Sequence, residues 1–185
     1  MQELSLNVLD VAQNSVSAGA SLIEIGVAED TAADRLTIVI KDNGCGMTQE
    51  QVQRVIDPFY TTRTTRKVGL GVPLFKMAAE MTGGSFNIES TPNVGTTVTA
   101  VFVPSHLDCM PLGDIAATVC SLIQCNPDRD FCYTYSWNGS SFSADTRQFR
   151  QVLEGIPLNS PEVISFISEF IEENTCGVKA SAANT

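Results

Sequence analysis

Along the first hundred positions, segments with the apolar spacing of a helix occur among segments with the apolar spacing of a strand. Segment 3–18 has apolar residues at helical spacing, whereas segments 21–30 and 34–42 alternate or run apolar as strands do. The later pattern predicts helices at 48–56 and 69–84, a loop at 57–68, and strands at 85–90 and 96–103. This mixture of helices and strands predicts an α/β domain.

The composition changes near residues 104–108, where the chain becomes irregular and contains Pro104. A helix at about 112–124 should follow, then two strands joined at Asn138-Gly139, and two more helices. The last helix should begin at Pro161. The sequence therefore predicts a domain at 1–104, a C-terminal α/β extension at 105–176, and a flexible tail at 177–185.

Aromatic residues alternate on the first predicted strand of the extension: Phe131, Tyr133, Tyr135 and Trp137. Alternation places all four on one face of that strand. Two explanations stay open, namely packing against the first domain and docking of a partner protein.

Charge and hydropathy exclude several classes of protein. The 185 residues carry a formal charge of −10 and are 43% hydrophobic, with a mean hydropathy of +0.07. This composition predicts a packed domain rather than a disordered chain. It also argues against nucleic-acid binding, because the one basic cluster is Arg63, Arg66 and Lys67. With neither a membrane-spanning apolar run nor a signal peptide in view, we expect a cytoplasmic protein without membrane contact.

Six cysteines and a single histidine, His106, are present. No two cysteines have the CxxC spacing of common zinc and iron–sulfur sites. The spacing favours reduced cysteines that pack as small apolar residues, with a metal or redox role as the minor alternative.

The stretch DNGCGM follows a predicted strand directly. Asp42 at its start could accept a hydrogen bond from the exocyclic amine of adenine, and Gly44 and Gly46 would let a flat ring approach the backbone. The same residues are also common in tight turns. Taken alone, this stretch leaves both interpretations open.

Two other features could bind phosphate or metal. The segment GLGVPL opens a predicted helix with Gly69 and Gly71, and amides at a helix start suit phosphate oxygens. Asp10 and Asn14 lie one turn apart on the first helix, where an amide oxygen suits Mg²⁺ and a carboxylate could take a proton. A solvent-exposed polar face explains the second pair equally well.

The order of these motifs decides between the alternatives. NVLDVAQNSVSAGA, DNGCGM, DPFYTTR, GLGVPL and GTTVTAVF occur in the order of the ATP site of the GHKL superfamily, and the sequence resembles that superfamily over about residues 3–103. DPFYTTR followed by GLG is most similar to the histidine-kinase branch, whereas QNSVSAGA is more similar to the mismatch-repair branch. The resemblance implies a two-layer α/β sandwich of the Bergerat type, with a mixed, mostly antiparallel sheet and helices on one face.

The resemblance also implies a role for individual residues. Asn14 matches the Mg²⁺ ligand, Asp42 the carboxylate that binds the adenine amine, and Thr96 the threonine on the adenine side. The other implied ATP-binding residues are Gly44, Gly46 and Met47 under the base, Phe59, Arg63 and Lys67 in the lid region, and Gly69, Leu70 and Gly71 near the phosphates.

Asp10 departs from the superfamily's usual residues. Hydrolysing and serine-phosphorylating branches usually have glutamate there, and histidine kinases asparagine, so Asp10 is a candidate base with a shorter reach. The sequence also shows no helix with a phospho-accepting histidine. We therefore expect a stand-alone, histidine-kinase-like Mg·ATP domain that phosphorylates or regulates an unidentified protein partner. The alternatives are a non-catalytic ATP sensor that switches partner binding and an ATP hydrolase.

Overall fold

A computed structural model describes residues 3–59 and 70–182 of the chain. The helices in these residues are α1 (Leu4–Ser17), α2 (Gln49–Val55), α3 (Gly71–Met81), α4 (Ile115–Cys125), α5 (Thr146–Leu153) and α6 (Pro161–Ala182). The strands are β1 (Leu22–Asp30), β2 (Arg35–Asp42), β3 (Ser85–Thr91), β4 (Gly95–Phe102), β5 (Asp130–Trp137) and β6 (Ser140–Asp145).

The strands form one six-stranded sheet with the order β3-β4-β2-β1-β5-β6. All neighbouring pairs are antiparallel except β1 and β5, which run parallel. Buried residues alternate with more exposed ones along β1 and β2, so one face of the sheet is covered. The helices pack on that face, which confirms the predicted two-layer sandwich.

Helix α1 covers the centre of the sheet because its apolar residues fall on one stripe. Leu4, Val8 and Ala12 are fully buried at intervals of four residues. Ser15 continues this stripe one turn later and is only 4% exposed. Gly19, with a φ of +76°, ends the helix and directs the chain into β1.

The predicted C-terminal extension continues the same sheet, since β5 pairs in parallel with β1 from Asp130 to Trp137. The β5–β6 hairpin turns at Asn138-Gly139, both with positive φ, as the sequence predicted. Phe131, Tyr133 and Tyr135 are each 1% exposed. They belong to the hydrophobic core, which favours the packing explanation for the aromatic strand. The division between residues 104 and 105 stays a prediction.

Helix α6 extends farther than the sequence predicted. It is helical through Ala182, whereas the predicted flexible tail begins at residue 177. Val178 is 9% exposed and continues the buried stripe of Val163 and Ile167. Lys179 lies over the Trp137 ring, with Nζ 4.7 Å from the ring centroid. These contacts explain why the helix continues through small residues that alone would fray.

Candidate functional site

Three adjacent strands place polar side chains in one row at an end of the sheet. Ser90 on β3 pairs with Thr96 on β4, and Thr96 pairs with Asp42 at the end of β2. All three side chains point to the helix-covered face. Each lies two positions from a buried or half-buried apolar residue of its own strand, and residues two apart share a face. The sequence predicted two of these residues, Asp42 and Thr96, as parts of one site, and the strand register brings them together.

Two hydrogen bonds hold the Asp42 carboxylate. The Ser15 hydroxyl donates to Oδ2 at 2.6 Å, and the Gly44 backbone N–H donates to Oδ1 at 2.8 Å. A carboxylate oxygen accepts more than one hydrogen bond, so both oxygens keep acceptor capacity. The arrangement therefore presents an oriented, half-buried acceptor to any donor that enters between α1 and the strand ends.

Sequence reasoning missed Ser15. Its signal was available, because a hydroxyl at a position of the buried stripe of α1 needs a hydrogen-bond partner. Asp42 lies 27 residues away and supplies that partner.

The loop after β2 packs closely against the end of α1 on one side and the end of β3 on the other. A Cβ on Gly44 would lie 2.9 Å from the Ala18 Cβ, and a Cβ on Gly46 would overlap the Thr91 carbonyl. Only glycine permits these approaches, and Gly46 also has a φ of +63°. Cys45, between the two glycines, donates its N–H to Ala18 O at 2.9 Å and accepts from Asn93 N–H at 2.7 Å.

The Ser90 hydroxyl joins this loop to the β3–β4 hairpin. It accepts the Met47 backbone N–H at 2.8 Å, lies 2.8 Å from Thr96 Oγ1, and donates to Gly95 O at 3.1 Å. Met47, a predicted site residue, is thereby fixed through its backbone. Ser90 carried no sequence signal, since it is one of several hydroxyl residues on a hairpin.

A second group of predicted residues meets where α1 passes the start of α3. A Cβ on Gly71, the first residue of α3, would lie 2.8 Å from the Asp10 Cβ. The first amides of a helix have no acceptor within the helix, and Leu70, at the N-cap of α3, provides no side-chain cap. Asp10, beside this helix end, is exposed, and so is Asn14, one turn farther along α1. The positive end of α3 therefore lies beside a carboxylate, with an amide one helical turn away, a combination suited to an anion with a bound cation.

Both groups of residues contact α1, the first through Ser15 and the second through Asp10. Along α1, Asp10 and Ser15 are five residues apart, or about 7.5 Å at 1.5 Å per residue. The Asp42 acceptor and the start of α3 therefore contact α1 about one and a half turns apart.

A family profile matches residues 1–106 of the chain, and its description is histidine kinase-, DNA gyrase B- and HSP90-like ATPase. The match covers more than half of the 185 residues and contains both groups described above. The chain belongs to this ATPase family. ATP is accordingly the ligand that the family assignment supports, in agreement with the resemblance found in the sequence.

Known proteins similar to this ATPase-family chain include bacterial sensor proteins. A putative sensor protein of Shewanella frigidimarina is 31% identical over 109 residues, which cover 58% of this chain and 17% of the relative. Sensor protein SrrB of Staphylococcus aureus is 35% identical over 102 residues, which cover 52% of this chain and 17% of the relative. The chain thus spans about a sixth of the length of these curated relatives.

A solved structure described as the N-terminal domain of a DNA repair protein has the same fold. The TM-score is 0.53 with 17% sequence identity, and the match covers 77% of this chain and 52% of that chain. At this identity the likeness concerns the fold alone.

The residues predicted for the lid fall mostly outside the described parts of the chain. Arg63, Arg66 and Lys67 lie in 60–69, between the two described ranges, and so does Gly69, which was predicted to lie near the phosphates. Phe59, at the end of the first range, is 92% exposed.

The described residues fit a magnesium ion held jointly with phosphate. Mg²⁺ takes one or two protein oxygens and completes its shell with waters and substrate phosphates. Asn14 offers an exposed amide oxygen that no other side chain in residues 3–59 or 70–182 engages in a hydrogen bond. Those ranges contain no cluster of three His, Cys, Asp or Glu residues that could bind a metal by itself. The site suits an ion brought by a nucleotide.

All six cysteines are free thiols. Cys45 contributes to the loop after β2 through its backbone hydrogen bonds. Burial raises the pKa of the Cys120 thiol to about 11, and nearby carboxylates add to that rise. This thiol is therefore protonated and inert at neutral pH.

A groove of about 360 Å³ adjoins the strand ends. Three of its four charged residues, Glu24, Lys41 and Glu89, project from the uncovered face of the sheet by strand alternation, and the fourth is Asp42. Lys41 and Glu24 form an ion pair at 2.9 Å. The groove therefore reaches from the uncovered face of the sheet to the strand ends at Asp42, Ser90 and Thr96.

No helix in the described ranges has the length and apolar character needed to cross a membrane.

Proposed function

We propose that this chain binds Mg·ATP with the base at Asp42 and the triphosphate extending along α1 to the start of α3. The observation that carries this proposal is the Asp42 carboxylate, held by Ser15 and Gly44 with acceptor capacity left over. The adenine amine is a donor and matches that acceptor. Gly44, Gly46 and Met47 line the base, as the family resemblance implies.

The phosphate end of the proposed site combines a helix start with a metal ligand. Gly71 and Leu70 would bring the amides of α3 to the phosphates, and Asn14 would hold Mg²⁺, which would neutralise charge on the phosphate oxygens. Arg63, Lys67 and Gly69 remain proposed phosphate contacts. Phe59 and Thr96 remain proposed contacts on the lid and adenine sides.

We infer that the bound ATP serves transfer of its γ-phosphate to a protein partner, with Asp10 as the base. The acceptor group loses its proton to the Asp10 carboxylate and bonds to the γ-phosphorus, while the bond to the bridging oxygen breaks and ADP leaves. The position of Asp10 beside the start of α3 supports this role. The partner would supply the acceptor residue. Six free thiols support a reducing, cytoplasmic setting.

A second candidate function is a non-catalytic ATP sensor. Within residues 3–59 and 70–182, no hydrogen bond orients the exposed Asp10 carboxylate. An efficient base is normally oriented by a third group. In a sensor, ATP binding would change the affinity for the partner without turnover.

Asp10→Asn distinguishes the two functions because it keeps the shape of the side chain and removes its basicity. The protein and its variant are incubated with γ-labelled ATP and the proteins that co-purify with the chain, and labelled protein and released phosphate are measured. A kinase loses label transfer in Asp10→Asn at unchanged ATP affinity. A sensor shows negligible transfer in both proteins and an equal effect of ATP on co-purification. Equal, substantial transfer by both proteins would contradict Asp10 as the base.

A further inference from the structure

Ser90 has three polar neighbours but only one hydroxyl hydrogen. Met47 N–H points at its oxygen at 2.8 Å, Gly95 O accepts at 3.1 Å, and Thr96 Oγ1 lies at 2.8 Å. Gly95 O is an acceptor only, so the Ser90 hydrogen must go there for that contact to be a hydrogen bond.

This assignment determines the direction of the remaining bond. With the Ser90 hydrogen on Gly95 O, the 2.8 Å contact between the two hydroxyl oxygens needs the hydrogen of Thr96. Ser90 Oγ then donates once and accepts twice, which uses its full capacity. If Ser90 instead donated its hydrogen to Thr96, the Ser90 and Gly95 oxygens would face each other at 3.1 Å as two acceptors. Only a hydrogen donated by Thr96 satisfies all three contacts.

Thr96 then faces the neighbouring Asp42 with lone pairs only. The two residues are register partners on adjacent strands and share a face. Asp42 receives the hydrogen of Ser15, so that hydroxyl hydrogen is engaged as well. Every side-chain hydroxyl hydrogen in this row is thus directed away from the space in front of Asp42, and the row presents acceptors.

We propose that Ser90 is a positioning residue that makes this site select a base with an amino group over a base with a carbonyl at the same position. Adenine has an amine at C6, a donor, whereas hypoxanthine and guanine have a carbonyl there, an acceptor. A row of acceptors can accept a hydrogen bond from the amine but leaves the carbonyl without a donor. The same holds if a water lies between, because that water must donate its hydrogens to the row. The inference rests on the proposed function, because it places the base at Asp42.

The test compares ATP with inosine triphosphate, which differs from ATP in the base alone. Affinities for both are measured by calorimetry, and the readout is the ATP affinity divided by the inosine triphosphate affinity. Ser90→Ala removes the acceptor that fixes the Thr96 hydroxyl, so this hydroxyl becomes free to donate to a carbonyl. We expect the ratio to fall about tenfold. A purely structural role for Ser90 would weaken both nucleotides equally and leave the ratio unchanged.

A pair of matched variants distinguishes loss of the Ser90 hydroxyl from loss of folding. Ser90→Thr keeps the hydroxyl and Ser90→Val has nearly the same shape without it, so the ratio should stay at the wild-type value in the first and fall in the second. Ser85→Ala, on the uncovered face of the same strand, should change nothing. The inference is overturned if Ser90→Ala and Ser90→Val keep the wild-type ratio or bind neither nucleotide while folded. Failure of the wild-type chain to bind ATP would instead refute the proposed function.

Discussion

Ser15 and Asp42 form a 2.6 Å hydrogen bond between the last turn of α1 and the end of β2. Ser15 is 4% exposed, and its position continues the apolar stripe of α1. A hydroxyl at such a position satisfies its hydrogen-bonding need through the carboxylate and at the same time orients that carboxylate. The core of the fold and the proposed adenine site are therefore connected at this pair.

Ser15→Ala should weaken ATP binding while leaving the fold intact. The hydroxyl donates to a charged acceptor, and its loss leaves the carboxylate held by Gly44 N–H alone. We expect roughly a fivefold loss of ATP affinity and a cost of about 1 kcal/mol in the free energy of unfolding. Calorimetry and urea denaturation measure the two effects. Unchanged affinity would show that Ser15 serves folding only.

Gly71→Ala should damage the phosphate end of the site. The new Cβ would lie 2.8 Å from the Asp10 Cβ, which is closer than carbon atoms normally approach, so α3 must move away from α1. We expect a loss of ATP affinity of at least about tenfold. Gly177→Ala is the matched control in a helix, because nothing lies within 4 Å of its added Cβ. The control should raise stability by up to about 1 kcal/mol and leave ATP binding unchanged.

Asn14→Ala should remove the magnesium dependence of ATP binding. In the wild-type chain, chelation of Mg²⁺ should weaken ATP binding, since Asn14 and the phosphates would hold the ion together. In the variant, titrations with and without Mg²⁺ should give similar affinities. Gln13→Ala, a change at the neighbouring position of α1, should keep the dependence. An equally large Mg²⁺ effect in Asn14→Ala would remove Asn14 from the site.

Acid should remove the contribution of Asp145 to stability. Hydrogen bonds from Arg147 lower the pKa of Asp145 below its usual value of 3.8 in spite of its burial. A lowered folded-state pKa stabilises the protein above the unfolded pKa, and this contribution is lost as pH falls through the folded pKa. Asp145→Asn, which retains an N-cap for α5, should thus be less stable than wild type at neutral pH. The difference should shrink in urea titrations as the pH falls below about 4, the usual pKa of an aspartate. A difference independent of pH would contradict this account.

Local sequence patterns predicted much of this structure. Helical spacing located α1, the Asn138-Gly139 pair located the β5–β6 turn, and the apolar run before Asp42 located the end of β2. Each of these signals lies within a few neighbouring residues, where periodicity and turn chemistry act.

The features that sequence reasoning missed depend on contacts between distant residues. Ser15 meets Asp42 across 27 positions, and Ser90 meets Met47 across 43. Hydroxyl residues are common, and only the folded arrangement shows which of them have a carboxylate or an amide as partner. The helical continuation of α6 likewise depends on packing of Val178 into the core, which overrides the weak helix preference of nearby small and polar residues.

The most direct test of the account is calorimetric titration of Asp42→Asn with ATP. Asparagine keeps the size of the side chain but replaces one acceptor oxygen with a donor, which would face the adenine amine. The account predicts that ATP affinity falls roughly 10- to 100-fold, as expected for a hydrogen bond to a charged group. Glu24→Gln, on the uncovered face of the same sheet, should bind ATP as the wild type does. ATP binding by Asp42→Asn at wild-type affinity would contradict the placement of the adenine base at Asp42.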